Sequence, residues 1–217
     1  MGGAGRYLLN LLPGLRQEGL EVSVACPGGG ELEKELRGQG FPLYLLSGSD
    51  ASFDWPVIAE VYRLLAGGDY QVVHTHASLA GRVAARLARS PKVVLTRHGL
   101  GTGRKLPRWR QCVNGGVSIF FTDKIIAISQ AVALSLINEG VPPARIRIIP
   151  NGIAAEEFVH SSGAAVRLEL GVGNRPLVGM VARLVAEKAP QDFVRAAALI
   201  KEKRPDKIGR ASCRERV

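Results

Sequence analysis

The chain has no apolar run close to the ~18–20 residues that a bilayer span needs, so nothing in it reads as a transmembrane segment. Its opening, Met1-Gly2-Gly3-Ala4-Gly5-Arg6, lacks the apolar core of a secretory signal. Arg6 also stands where a myristoylation signal needs Ser or Thr. Cysteine is scarce. Cys26, Cys112 and Cys213 are odd in number and far apart, which excludes a disulfide framework and fits no zinc-site spacing. No segment is low in complexity. These absences predict a cytoplasmic chain with reduced thiols and a buried Cys26.

What is present is an ordinary globular composition over 217 residues, enough for one full domain and a piece of another. The net charge of +10 points to an acidic partner: phosphates, nucleic acid or an anionic membrane. Part of that charge sits in Lys207 to Val217, with four cations against one Glu; without those residues the balance is +7.

Helical and strand patterns alternate. Leu8, Leu9, Leu11, Leu12 and Leu15 recur at helical spacing, with Pro13 an awkward guest and Gly19 a stop. Strands are predicted over Glu21–Ala25, Phe41–Leu46, Gln71–Thr75, Lys92–Thr96, Lys124–Ile128 and Ile146–Ile149. Helices are predicted over Glu31–Arg37, Val57–Leu65, Leu79–Ala88 and Gln130–Asn138. This rhythm predicts a doubly wound α/β domain with a parallel, Rossmann-like sheet over about residues 1–155. The rhythm then restarts, with a helix Ala164–Leu170, a strand Leu177–Val181 and a helix Gln191–Lys203 opened by Pro190. That reads as the incomplete start of a second α/β domain, residues 156–206.

In an open parallel sheet, ligands bind beyond the carboxyl ends of the strands. The residues there are His74 and His76; Thr96, Arg97, His98 and Gly99; Ser129; Asn151 and Gly152; and Arg183 and Lys188. Gly2-Gly3-Ala4-Gly5 precedes the first helix. Each has an ordinary structural role available to it, as a cap, a tight turn or a solvated charge. Their gathering on one edge of the sheet marks a site.

The segments "GGAGRYLLNLLPGLRQEGLEVSVACPG", "YQVVHTHASLAGRVAARLA", "KVVLTRHG", "DKIIAISQAVALSLINEGVPPARIRIIPNGI" and "VGMVARLVAEKAPQDFVRAAALI" together resemble glycosyltransferase family 4, the retaining family with the two-domain GT-B fold. The resemblance covers nearly all of residues 2–204. It implies that Arg183 and Lys188 hold the diphosphate of a nucleotide-sugar donor, where fixed cations stabilise the charge of the departing nucleoside diphosphate. It implies that Gly2 and Gly3 let the backbone approach the donor and that His98 is the catalytic residue beside the anomeric carbon; His76, Ser129 and Asn151, by their place after the strands, are candidates to line the cleft. No cofactor or metal is implied. The partners it implies are a nucleotide-sugar donor and a sugar or lipid-linked acceptor.

The departures are also informative. The family's first strand would precede Gly2, and its Glu-x7-Glu element would follow Lys203. Ala189 stands where the family usually has Gly. Residues 207–217, "KIGRASCRERV", are unlike the family and read as a foreign tail. The expectation is a fragment truncated at both ends and inactive alone. Two alternatives remain. One is a sugar-nucleotide epimerase on the same fold. The other is a non-enzymatic binder of anionic membrane or phosphate ligands, suggested by the cations and Trp109 of Arg104–Arg110. The basic stretch also fits a transferase peripheral at the inner face of the plasma membrane. No nucleic-acid motif is present, and "GGAGRY" is not the dinucleotide fingerprint.

Overall fold

The computed structural model describes residues 2–48, 53–76, 78–89, 92–100, 107–182 and 184–203. The chain divides into two compact units between Ile153 and Ala154.

In the first unit, helix α1 (Gly3–Gln17) begins directly after Gly2 and is longer than its leucine repeat. Leu9 and Leu12 bury against Val24 and Cys26 of strand β1 (Val24–Pro27), Leu36 of helix α2 (Glu31–Gly38) and Phe41. Strand β2 (Leu43–Leu46) pairs with β1 in parallel, from Val24 opposite Leu43. The alternation that predicted a strand from Glu21 is correct in phase, but hydrogen-bonded pairing starts only at Val24.

A second sheet orders its strands β3 (Val72–His76), β4 (Lys92–Arg97), β5 (Lys124–Ala127) and β6 (Ile146–Ile148), all parallel. The sequence predicts one sheet. Among the described residues there are two, of two and four strands, with no ladder between them. Leu95, Ile125 and Ala127 pack on Val132, Ala133 and Leu136 of helix α6 (Gln130–Asn138). Helix α3 (Trp55–Ala66) lays Val57, Ile58 and Val61 on Ala80 and Ala84 of helix α4 (Leu79–Leu87). Asp123 accepts from the Val93 amide at 2.7 Å and pairs with Arg86 at 3.3 Å, tying the approach to β5 to the start of β4. Burial would raise its carboxyl, but those two donors hold it below the usual range.

The sequence pattern predicts no element where helix α5 (Arg108–Phe121) forms. The helix crosses the C-terminal end of α6 so closely that a Cβ at Gly115 would run into the Glu139 carbonyl oxygen and lie 2.7 Å from its carbon. Arg145 donates to the carbonyls of Ile119 and Thr122 and so satisfies acceptors at the end of α5.

The second unit contains helices α7 (Glu156–Val159), α8 (Ala164–Leu170) and α9 (Pro190–Lys203). Gly171 ends α8 at φ 62°, and Arg167 donates to the Gly173 and Arg175 carbonyls. The strand predicted over Leu177–Val181 does not form; only Met180 makes an isolated bridge. An extended segment becomes a strand by pairing, and no strand of a ladder lies in this unit among the described residues.

Neighbouring glycines of α5 test its packing. Gly115→Ala should cost roughly 1–3 kcal/mol, because the obstacle is backbone. Gly116→Ala meets nothing within 4 Å and should stabilise by up to about 1 kcal/mol. Urea midpoints that move alike in the two variants would contradict the close crossing.

Candidate active site

The ends of β3 and β4 meet in parallel register, with His74 opposite Val94 and His76 opposite Thr96. Side chains alternate along a strand, so His74, His76, Thr96 and His98 project to one face. His74 Nε2 and Thr96 Oγ1 share a hydrogen bond of 2.7 Å. His76 Nδ1 and His98 Nε2 share one of 2.9 Å, their rings stacked at 5.2 Å. Tyr7 of α1 closes the group, tilted on His76 at 5.5 Å and edge-on to His98 at 5.0 Å.

All three imidazoles are held below their ordinary pKa. For His74 and His76 burial is the main cause, followed by the neighbouring histidines; for His98 the cause is burial. His76 falls to about 3. The cluster is therefore neutral at pH 7. A hydrogen bond between two imidazoles needs one proton on the two facing nitrogens. With Nε2 of His98 committed to His76, Nδ1 is its remaining polar atom. His76 sets whether that atom donates or accepts.

Of the other residues expected here, Gly2 is the exposed N-cap of α1 and Gly3 its first residue. A Cβ at either would meet nothing within 4 Å, so the fold itself does not require glycine there. Asn10 of α1 donates to the Gly152 carbonyl at 3.3 Å, which holds the loop after β6 beside α1. Asn151 is exposed in that loop. Ser129 caps α6, its hydroxyl accepting from the Val132 amide at 3.3 Å.

Lys188 belongs to the second unit, where it is exposed at the end of a short 3-10 turn, Ala186–Lys188. Arg183 lies outside the described residues, as does the tail 207–217. Ala189 takes φ 47°, ψ 48°, a left-handed conformation that favours glycine.

The sequence reading brought His76 and His98 to one edge but missed Tyr7 and the His74–Thr96 bond. Tyr7 is detectable in principle as the residue one turn into the helix that follows Gly2-Gly3. The Thr96 partner follows only from strand register.

Two outcomes are expected from these geometries. A histidine whose pKa is lowered by folding binds fewer protons folded than unfolded, so stability is full above pH 6.5 and falls as the pH drops below it. His76 alone contributes up to about 1.4 kcal/mol per pH unit in that window. Carboxylates depressed from 4.5, such as Glu33, act only lower down. His76→Gln should therefore flatten the stability profile between pH 6.5 and 4.5, read by urea unfolding at each pH; an unchanged slope would contradict the buried neutral cluster. Ala189→Gly should relieve the left-handed turn and raise stability by about 0.5–1 kcal/mol. A lower melting temperature in that variant would show that the turn is not left-handed.

The profile of Glycosyltransferase Family 4 matches residues 1–157. A UDP-Gal:alpha-D-GlcNAc-diphosphoundecaprenol alpha-1,3-galactosyltransferase of Escherichia coli is 33% identical over 175 residues, covering 71% of this chain and 43% of that protein. A D-inositol 3-phosphate glycosyltransferase of Catenulispora acidiphila is 33% identical over 147 residues, covering 62% and 35%. The chain thus spans less than half the length of these relatives. Among solved structures, Anabaena HepE in complex with UDP-glucose superposes with a TM-score of 0.78 at 22% identity, over 98% of this chain and 56% of that one. The UDP-GlcNAc 2-epimerase of Neisseria meningitidis superposes at 0.64 and 13% identity, over 97% and 63%. These likenesses establish an α/β fold of the GT-B kind, and the profile match over most of the chain decides its kinship: it belongs to glycosyltransferase family 4.

Proposed function

We propose that the protein transfers a sugar from a nucleoside-diphosphate sugar to a sugar or lipid-linked acceptor, with retention of configuration. The observation that carries this reading is the His76–His98–Tyr7 cluster at the strand ends. It presents a neutral histidine whose second ring nitrogen has no hydrogen-bond partner among the described residues, on the edge where parallel sheets bind ligands. A neutral imidazole can hydrogen-bond a sugar hydroxyl without adding a charge that would oppose a developing oxocarbenium ion. His98 is the residue assigned to the reacting sugar. His76 positions it, and Gly2 and Gly3 leave room for substrate at the start of α1.

The second unit's Arg183 and Lys188 are assigned to the diphosphate. As that bond breaks, charge grows on the phosphate oxygens, and fixed cations stabilise the transition state more than the ground state. Acceptor attack on the face from which the phosphate departs gives retention, with the leaving phosphate taking the acceptor proton. No metal is assigned a role. One relative supports a lipid-linked acceptor, since its name gives a diphosphoundecaprenol-linked sugar as its acceptor. A cytoplasmic protein peripheral to an anionic membrane fits that acceptor. No helix among the described residues is long and apolar enough to cross a membrane.

The test is sugar transfer from UDP-, GDP- and ADP-sugars to polyprenyl-diphosphate sugars, by protein carrying residues 1–206 in their native reading frame. Arg183→Ala should lower turnover about 10- to 100-fold, the worth of a charge-assisted phosphate bond. His98→Ala should lower it about 100-fold or more. Full turnover in both variants would remove these residues from the reaction. Sugar epimerisation without an acceptor would favour the epimerase reading instead.

A further inference from the structure

Helix α5 is built inside out. Its inward face carries Gly115, Ser118 and Thr122, all buried and all small or polar, with Ile119 partly buried on the sheet core. Its outward face carries Trp109, Val113 and Phe120, which are 63%, 54% and 73% exposed. At about 100° per residue, positions 109, 113, 116 and 120 fall within roughly 60° of one another. They form a single apolar stripe with Gly116 in its middle. An amphipathic helix of a soluble domain normally turns this face to the core. Here Gly115 seats the helix on Glu139 and Arg145 holds its C-terminal carbonyls, so the stripe is fixed facing outward.

The charge around the stripe says what covers it. Arg108 and Arg110 flank Trp109, and the Arg110 guanidinium lies 5.0 Å from the Trp109 ring centroid. Arg104 and Lys105 precede them in sequence. From Leu100 through Thr122 the chain has four Lys and Arg (104, 105, 108, 110) and no Asp or Glu. An isologous contact with a second copy would bring the cations at the N-terminal end of the stripe near their own copies, with repulsion. Nucleic acid would meet the cations but leave Val113 and Phe120 against phosphate. A lipid surface with anionic headgroups satisfies both features, since the stripe enters the acyl boundary, the tryptophan sits at the interface and the cations meet the headgroups.

We infer that the outer face of α5 docks the protein on an anionic lipid bilayer, through the Trp109–Val113–Phe120 stripe and the arginines at its N-terminal end. This inference does not depend on the transfer reaction and is tested without a nucleotide sugar. In a Trp55→Phe background, Trp109 is the one remaining tryptophan. Its emission is read with vesicles of phosphatidylcholine alone or mixed with phosphatidylglycerol. The expected result is a blue shift, and quenching by bromine-labelled lipid, with the anionic vesicles only and reversed by 0.5 M salt. Val113→Ser/Phe120→Ser and Arg108→Ala/Arg110→Ala should each weaken partitioning by about tenfold or more, with the far-ultraviolet circular dichroism unchanged. Unchanged Trp109 emission with anionic vesicles would overturn the inference, as would equal binding to neutral vesicles. So would sedimentation showing that the chain self-associates through this face, or oligonucleotide binding that the serine variant leaves intact while vesicles do not bind.

Discussion

The register of β3 on β4 is the constraint on which the candidate site depends. Pairing His76 with Thr96 puts His74, His76, Thr96 and His98 on one face. The intervening Thr75, Leu95 and Arg97 then fall on the other, where Leu95 joins the α6 core. A slip of one residue would exchange the two sets, driving Leu95 out and the histidines in. The apolar demand of the core therefore specifies the position of the polar cluster. Parallel pairing adds a second consequence: β3 and β4 end at the same edge, so residues twenty-two apart in sequence become hydrogen-bonded partners.

Burial then decides the chemistry of that face. Three imidazoles packed against one another cannot all hold charge, because each proton would be desolvated and would repel the next. The structure offers the three histidines each other, Thr96 and Tyr7 as neighbours. The result is a neutral hydrogen-bonding surface. On the opposite face the balance is different. Arg97 is paired with Glu139 at 3.0 Å, and Arg82 is nearly buried, with burial and then Arg97 pushing its guanidinium down to about 10. Charge is thus kept on the helix side of β4 and away from the imidazoles.

Much of this was legible in the residues. The leucine spacing of α1, the alternation over Glu21–Ala25 and the Gly19 stop predict elements close to those observed, because each reflects a local rule of period or cap. The edge carrying His76 and His98 was legible for the same reason. What escaped notice depended on contacts distant in sequence. Helix α5 hides its identity because its inward face is small and polar, so its apolar period points the wrong way for a core helix. The strand expected at Leu177–Val181 has the composition but no partner among the described residues. Ala189 shows the converse: the sequence marks an unusual residue, and the backbone supplies the reason, a left-handed turn where a Cβ is costly.

Among the described residues the two sheets share no ladder, so the position of the site relative to the first sheet is set by side chains. Helix α1 does this through its helical phase. Leu9 and Leu12, three apart, bury on β1 and α2. Tyr7 and Asn10, also three apart and displaced by about 200° from the first pair, reach the histidines and the Gly152 carbonyl. One helix therefore grips the two-stranded sheet with one face and the ends of β3, β4 and β6 with the other. Tyr70, bonded to Tyr44 and Ser23, makes a second link at the opposite ends of the strands. Pro13 follows both pairs, so the hydrogen bond it forfeits, to the Leu9 carbonyl, lies beyond the turns that carry Tyr7. The irregularity in α1 is thus placed after the turn that sets the spacing between the glycines and Tyr7.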